Sequence, residues 1–225
     1  MSISPPCRLH SWDLTPQAAI QLQNELRHRV QTGPLNIKSL RTVAGVDVSF
    51  PRGQNIARAA VVVLAFPSLA RVDQARAEIA VPFPYMPGLL SFQEMPVILA
   101  ALDKLHTRPD LWLVDGHGWA HPRRFGLACH LGVWLDQPAV GCGKSILVGE
   151  HAELPPERGS QQPLTAGGQV IGAALRTRSQ VKPIYVSVGH RVDLPGAIEV
   201  VLACGVGYRL PEPTRQADHL AGQPF

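Results

Sequence analysis

Four apolar residues, Leu111-Trp112-Leu113-Val114, run directly into Asp115-Gly116-His117-Gly118. A short, uninterrupted apolar run of this kind reads as a strand buried on both faces. Strands of that type belong to sheets covered by helices on either side, so the segment restricts the chain to α/β architecture. The strand ends on an acid, and the two glycines let the backbone turn sharply. Open α/β sheets bind their ligands at the carboxyl ends of such strands. Pro122 suits the first turn of a helix over residues 123–135. The free N–H groups of that helix start, with Arg123 and Arg124 beside them, predict an anion site. A carboxylate, the imidazoles of His117 and His121 and an anion site in one segment suit phosphodiester chemistry.

The rest of the pattern extends this reading. Residues 15–30 carry apolar positions at helical spacing, and Asp13 or Thr15 can cap the start. Residues 42–50, 57–66 and 72–81 read as three strands with short connections, an antiparallel meander. A stiff loop with three prolines, residues 82–88, leads into a helix at 91–106. A strand over 139–148 is broken by Gly141-Cys142-Gly143-Lys144-Ser145. Residues 150–168 are polar and rich in Pro and Gly, a surface loop. Strands at 169–176 and 183–188 and helices at 194–204 and 211–220 complete the chain. Strands first run together and then alternate with helices, so the expected class is α/β, a mixed sheet flanked by helices. At 225 residues, 45% of them hydrophobic, residues 1–225 are expected to form one domain with a sizeable core.

Several chemistries are disfavoured. The net charge of +4 permits an anionic partner without demanding one. Cys7, Cys129, Cys142 and Cys204 are scattered, with no Cys-x-x-Cys pair. They read as reduced thiols in a cytoplasmic protein. The N-terminus has no apolar signal region, and the longest apolar run, residues 59–66, is too short to span a bilayer. His117 and His121 have the spacing of helical zinc ligands, but Gly118 and Pro122 argue against a helix there. A phosphate-binding P-loop needs glycine where Pro138 stands. Lys144 can still act as a point charge for phosphate.

Three acids sit on separate elements. Asp47 interrupts an apolar strand in which acids are depleted; its alternate neighbours are Gly45 and Ser49, so a solvent-facing position also fits. Asp115 either carries chemistry or caps the turn that follows it. Glu94 fits a capping box, Ser91-Phe92-Gln93-Glu94, with Leu90 and Met95 as its hydrophobic staple; Pro96 complicates that reading. Converged, three carboxylates select Mg²⁺ or Mn²⁺, which bind substrate phosphate. Pro84-Tyr85-Met86-Pro87 holds an aromatic ring in a rigid loop. The ring either packs beneath its own loop or serves as a wedge between bases.

Taken together, PYMPGLLSFQE (84–94) and DGHGWAHPRRFGLACHLGV (115–133) closely resemble the endonuclease V family. VAGVDVSF (43–50), GCGKS (141–145), YVSVGHRVDL (185–194) and PEPTRQAD (211–218) support the resemblance, which spans most of the chain. It implies a ribonuclease H-like fold with a five-stranded mixed sheet. It implies that Asp47, Glu94 and Asp115 hold Mg²⁺, with Mn²⁺ able to substitute, and that Asp218 is a further acidic site residue. Tyr85, beside Pro84, is then the wedge. Gly88, Leu90, Gly126 and Leu127 form a pocket for flipped hypoxanthine. His121, Lys144 and Ser145 face the strand near the scissile phosphate. The implied reaction is hydrolysis of the second phosphodiester bond 3′ to deoxyinosine in DNA, leaving 3′-hydroxyl and 5′-phosphate ends. Inosine-containing RNA is the alternative substrate, and a non-catalytic inosine-binding protein the alternative class. Nothing in the sequence calls for a membrane or for more than a monomer.

Overall fold

The structure is a computed structural model that describes residues 9–81 and 83–224. Cys7 and Pro82 lie outside the described residues. Strands β1 (Thr42–Ser49), β2 (Ile56–Ala65) and β3 (Arg71–Ala80) form the antiparallel meander. β4 (Leu111–Val114) pairs parallel to β1, and β5 (Ala139–Gly143) parallel to β4. Three antiparallel strands, β6 (Gln161–Ala166), β7 (Gln169–Leu175) and β8 (Ile184–His190), extend the sheet beyond β5. The order is β3-β2-β1-β4-β5-β8-β7-β6. The sheet therefore has eight strands rather than five.

β4 shows why its sequence is apolar throughout. Trp112 and Val114 pack with Met95 and Ile98 of α2 (Leu90–Leu102) and Leu131 of α3 (Leu127–Leu135). Leu111 and Leu113 pack on the other face with Val200 and Val201 of α4 (Leu194–Ala203) and Ala217 of α5 (Glu212–Ala221). Each such side chain contributes roughly 1.5–3 kcal/mol when fully buried, so this strand ties both helical layers to the sheet. α1 (Pro16–Leu26) packs through Ala19 with Leu89 and Phe92 and through Leu26 with Phe125 and Cys129. Thr15 caps it through Oγ1, and it passes into a 3₁₀ turn at Arg27–Arg29 before residue 30.

Three local expectations are overturned. The stretch 150–168 contains β6, which pairs with β7 across Gly167-Gly168, both at positive φ as a type I′ turn requires. β6 is an edge strand, so Pro163 costs it little. The Glu94 capping box does not form. α2 starts at Leu90 without a side-chain cap, which leaves Ser91 inside the helix, its hydroxyl paired with His130 Nδ1 at 3.1 Å. The third helix starts at Leu127, not 123: Arg124 has a positive φ of 57° and Gly126 N–H turns back to Gly118 O, while two further bonds tie the loop to β8. Gly118 N–H donates to Ser187 Oγ and Trp119 N–H to Val188 C=O. Among the described residues no helix is long and apolar enough to cross a membrane, and Cys129, Cys142 and Cys204 are buried free thiols.

Candidate active site

Asp47 lies two residues before the end of β1, and Asp115 directly follows β4, its parallel neighbour. Val46 pairs with Val114, and the Asp115 N–H donates to the Val46 carbonyl at 3.0 Å. Alternation along β1 puts Gly45, Asp47 and Ser49 on one face. That face is covered by α5, so the solvent-facing reading of Asp47 fails. A Cβ at Gly45 would lie 1.9 Å from Pro213 O, so only glycine lets α5 approach this closely. Ser49 Oγ donates to Ala221 O at 2.6 Å near the other end of the helix. α5 in turn delivers Asp218. One oxygen from each of Asp47, Asp115 and Asp218 lies within 4.8 Å of the others. Glu94 enters from α2, in the opposite helical layer, and is buried outside that trio.

Like charges are crowded here. Burial, with the Asp115 charge and a hydrogen bond to Asp115 added, pushes the Asp47 carboxyl up to about 8. Burial, then Asp47 and Asp115, push Glu94 well above the usual carboxylate range. Lys144 Nζ answers part of this charge, at 2.5 Å from Asp115 Oδ2 and 2.6 Å from Asp218 Oδ1. Burial acts to lower the Lys144 pKa, but the bonds to these two carboxylates outweigh it and raise it. The contact with Asp115 is a short ion pair to its buried Oδ2. An all-oxygen trio, crowded enough to be bridged by an ammonium, fits a hard divalent cation such as Mg²⁺ or Mn²⁺.

Lys144 lies in the turn after β5, where no helix follows, consistent with the rejected P-loop. Arg209 holds its backbone, donating to the carbonyls of Lys144 and Pro183. The two arginines of the long motif do not form the anion site expected of them. Arg123 donates to Gly88 O at 2.6 Å and to Gln23 Oε1 at 2.5 Å; Arg124 donates to His121 O and Ala166 O. His121 is also turned inward. Its Nδ1 accepts from the Arg123 N–H, so the ring proton sits on Nε2, 3.0 Å from Gly88 O. Burial, then the Arg123 charge, push it down to about 4, so it is neutral near pH 7. Its one N–H is used within the protein rather than presented to a phosphate.

Beside the acids opens a cavity of about 200 Å³, room for several waters at ~30 Å³ each or one small planar group. Gly88, Leu90, Gly126 and Leu127 all line it, as do Tyr85 and Ser145. Tyr85 is 67% exposed, so it does not pack beneath its loop; Pro84 beside it is exposed too. His117, already named within the long motif, lines the cavity as well; Gln23, Ser91, Gly116, Ile146 and Leu147 also line it and were not anticipated. Gly116 and His117 adjoin Asp115 in the same motif, and that adjacency was the available signal. Ile146 and Leu147 follow Lys144-Ser145 as an exposed apolar pair. Gln23 carries no signal, being one polar residue in a mostly surface helix.

This geometry has close counterparts. The Endonuclease V family model matches residues 24–219. Endonuclease V of Trichormus variabilis is 53% identical over 212 residues, 94% of this chain and 96% of the relative. The crystal structure of Endonuclease V from Streptomyces avermitilis superposes with a TM-score of 0.88 at 46% identity, covering 94% of this chain and 93% of that one. Ciona intestinalis Endonuclease V, in complex with a 23mer DNA containing an inosine followed by a ribo-adenosine, superposes at 0.79 with 26% identity, covering 92% and 97%. These relatives share the mixed sheet flanked by helices, the ribonuclease H-like fold, over nearly their whole lengths. The chain belongs to the Endonuclease V family.

Proposed function

We propose that this chain is a divalent-metal-dependent endonuclease that finds deoxyinosine, the product of adenine deamination, in DNA. It hydrolyses the second phosphodiester bond on the 3′ side, leaving 3′-hydroxyl and 5′-phosphate ends, and so opens repair in the cytoplasm. The observation that carries this reading is the trio of Asp47, Asp115 and Asp218 oxygens within 4.8 Å, set beside a cavity at whose mouth Tyr85 is exposed. The inosine-containing DNA held by the Ciona relative supports the choice of substrate.

Tyr85 enters the base stack at the lesion. Base–aromatic stacking, about 1–3 kcal/mol per base, offsets the few kcal/mol that flipping a mispaired base costs. The cavity receives the base against Gly88, Leu90, Gly126 and Leu127, with Ser145 at its rim. Asp47, Asp115 and Asp218, with Glu94 behind them, hold Mg²⁺ or, in its place, Mn²⁺. The bound cation polarises the phosphate and eases deprotonation of water. Lys144, once its ammonium leaves Asp115 and Asp218, serves as a point charge for the phosphate. His121 acts indirectly, by holding the pocket wall at Gly88. Every residue named comes from one chain, so a monomer suffices. The ribo-adenosine in the Ciona complex favours inosine-containing RNA as the second reading.

The test is a gel assay on an end-labelled duplex with one deoxyinosine, in Mg²⁺ and in chelator, with an inosine-containing RNA run in parallel. One metal-dependent nick at the second phosphodiester 3′ to the lesion is expected. Cleavage of RNA alone moves the substrate to RNA. Binding to both without cleavage leaves an inosine-binding protein.

A further inference from the structure

One wall of the cavity is a side chain whose position a single glycine sets. The His117 ring lines the cavity. On its other side it is seated on Gly143, the last residue of β5. A Cβ at Gly143 would lie 2.3 Å from His117 Cε1, 2.7 Å from Nε2 and 2.9 Å from Nδ1, and no other group stands as close. Nδ1 is buried without a hydrogen-bond partner, while the Ser145 backbone bonds the ring. Contact with the glycine, rather than a full set of hydrogen bonds, therefore fixes how far the ring stands into the cavity. Both backbones are held. Gly143 pairs with Tyr185 of β8, and the His117 carbonyl accepts from the Ala128 N–H at 3.0 Å. Anything larger than hydrogen at position 143 must move the ring, and the space that the ring borders is the cavity.

A wall set this closely matters for a base that differs from a normal one by a single group. Hypoxanthine is guanine without the amino group at C2. The two share the oxygen, the ring N–H and the ring acceptors, so hydrogen bonds to those groups do not separate them. Room separates them: a pocket that takes one and refuses the other is closed where the amino group would go. We propose that His117, recessed onto Gly143, is a specificity-determining residue whose ring closes the pocket against guanine, with Gly143 setting how far the ring stands out. This rests on the deoxyinosine reading above and adds the side chain that keeps the pocket from taking guanosine.

The test uses wild type, His117→Ala, Gly143→Ala and the double variant. Two duplexes carry inosine or guanosine opposite thymine, where both bases form a two-bond wobble pair and cost about the same to open. Affinity is measured with Ca²⁺ in place of Mg²⁺, and single-turnover cleavage with Mg²⁺. His117→Ala is expected to lower the inosine-over-guanosine ratio about tenfold or more, the scale at which a pocket discriminates one added group. Gly143→Ala pushes the ring inward and should weaken inosine binding about tenfold through overpacking. Removing the ring should abolish that loss, so the double variant should match His117→Ala. A role in stability alone moves both duplexes together, so an unchanged ratio in His117→Ala overturns the proposal. So does inosine binding like wild type in Gly143→Ala, or a Gly143→Ala loss that persists in the double variant. If one alanine variant fails to fold, the other decides. Wild-type protein without a preference for inosine removes the functional reading itself, before His117 is at issue.

Discussion

Two buried polar clusters on this sheet have opposite characters. In one, His130 is fully buried between His10 Nε2 at 2.8 Å and Ser91 Oγ at 3.1 Å. Trp12, Phe92, Phe125 and Trp134 rings surround it. Burial, then His10, hold His130 well below the usual imidazole range, so the cluster is neutral and both its nitrogens are used. In the other, Asp47, Glu94 and Asp115 crowd like charges, and Asp115 Oδ2 lacks an aligned donor. Folding favours the first arrangement, because buried polar groups cost little once fully bonded. The second is a cost that Lys144 relieves only in part. A closed network marks structure and an open one marks function.

The largest expected effect breaks the comparison at the open end. Asp47→Ala or Asp115→Ala should lower cleavage by roughly three orders of magnitude or more. Far-UV circular dichroism should be unchanged, and the metal-free stability of Asp47→Ala at pH 8 unchanged or higher, since a repelling charge is gone. Cleavage retained in saturating Mg²⁺, or a large loss of stability, would show that these acids are structural.

The closed end predicts the reverse. His130→Ala opens a cavity and strands both Ser91 and His10, so a destabilisation of about 2–4 kcal/mol is expected in urea titrations. Cleavage by the folded fraction should stay near wild type. A variant as stable as wild type would mean that the aromatic box does not depend on its central imidazole.

What could be read from the sequence follows the same division. Elements with strong local periodicity were legible: β4, the β1–β3 meander, α4 and α5. So were residues concentrated in two motifs, among them Asp115, Tyr85 and Gly126. What failed depended on distant partners. Pro122 signals a helix start, but bonds from Gly118 and Trp119 to β8 override it. Ser91 resembles a cap, but His130 claims its hydroxyl. β6 is a polar edge strand with little alternation to find. Asp218 was named through the family resemblance alone, since it joins the acids only because Gly45 admits α5, and Gln23, buried against Gly88 and Phe125, had no signal of its own. Pairwise geometry of this kind leaves no local mark.

Tyr85 separates binding from folding on a smaller scale. It is exposed, so Tyr85→Ala should shift stability by less than about 0.5 kcal/mol. Affinity for the inosine duplex should drop about 5–30-fold through lost stacking, while Mn²⁺ affinity, followed by calorimetry, stays unchanged. Equal affinity of wild type and variant for the lesion would remove the wedge.

The smallest effect sharpens the comparison through pH. Asp47 has a folded pKa near 8, above its unfolded value. Its contribution is therefore full at low pH and is lost as pH rises through about 8. Glu94, also raised, acts in the same direction. His10 and His130 are lowered by burial, so their contribution is present above the unfolded imidazole pKa and fades as pH falls below it. His117, His121 and His190, likewise lowered chiefly by burial, steepen that acid limb. Metal-free protein should thus be most stable near neutral pH, with an alkaline limb of roughly 1–2 kcal/mol between pH 7 and 9. Asp47→Asn should flatten the alkaline limb and leave the acid limb intact. Saturating Mg²⁺ should flatten it too, because a bound cation stabilises the ionised carboxylates that alkaline pH produces. An alkaline limb unchanged by both treatments would mean that the acids are not the open network described here.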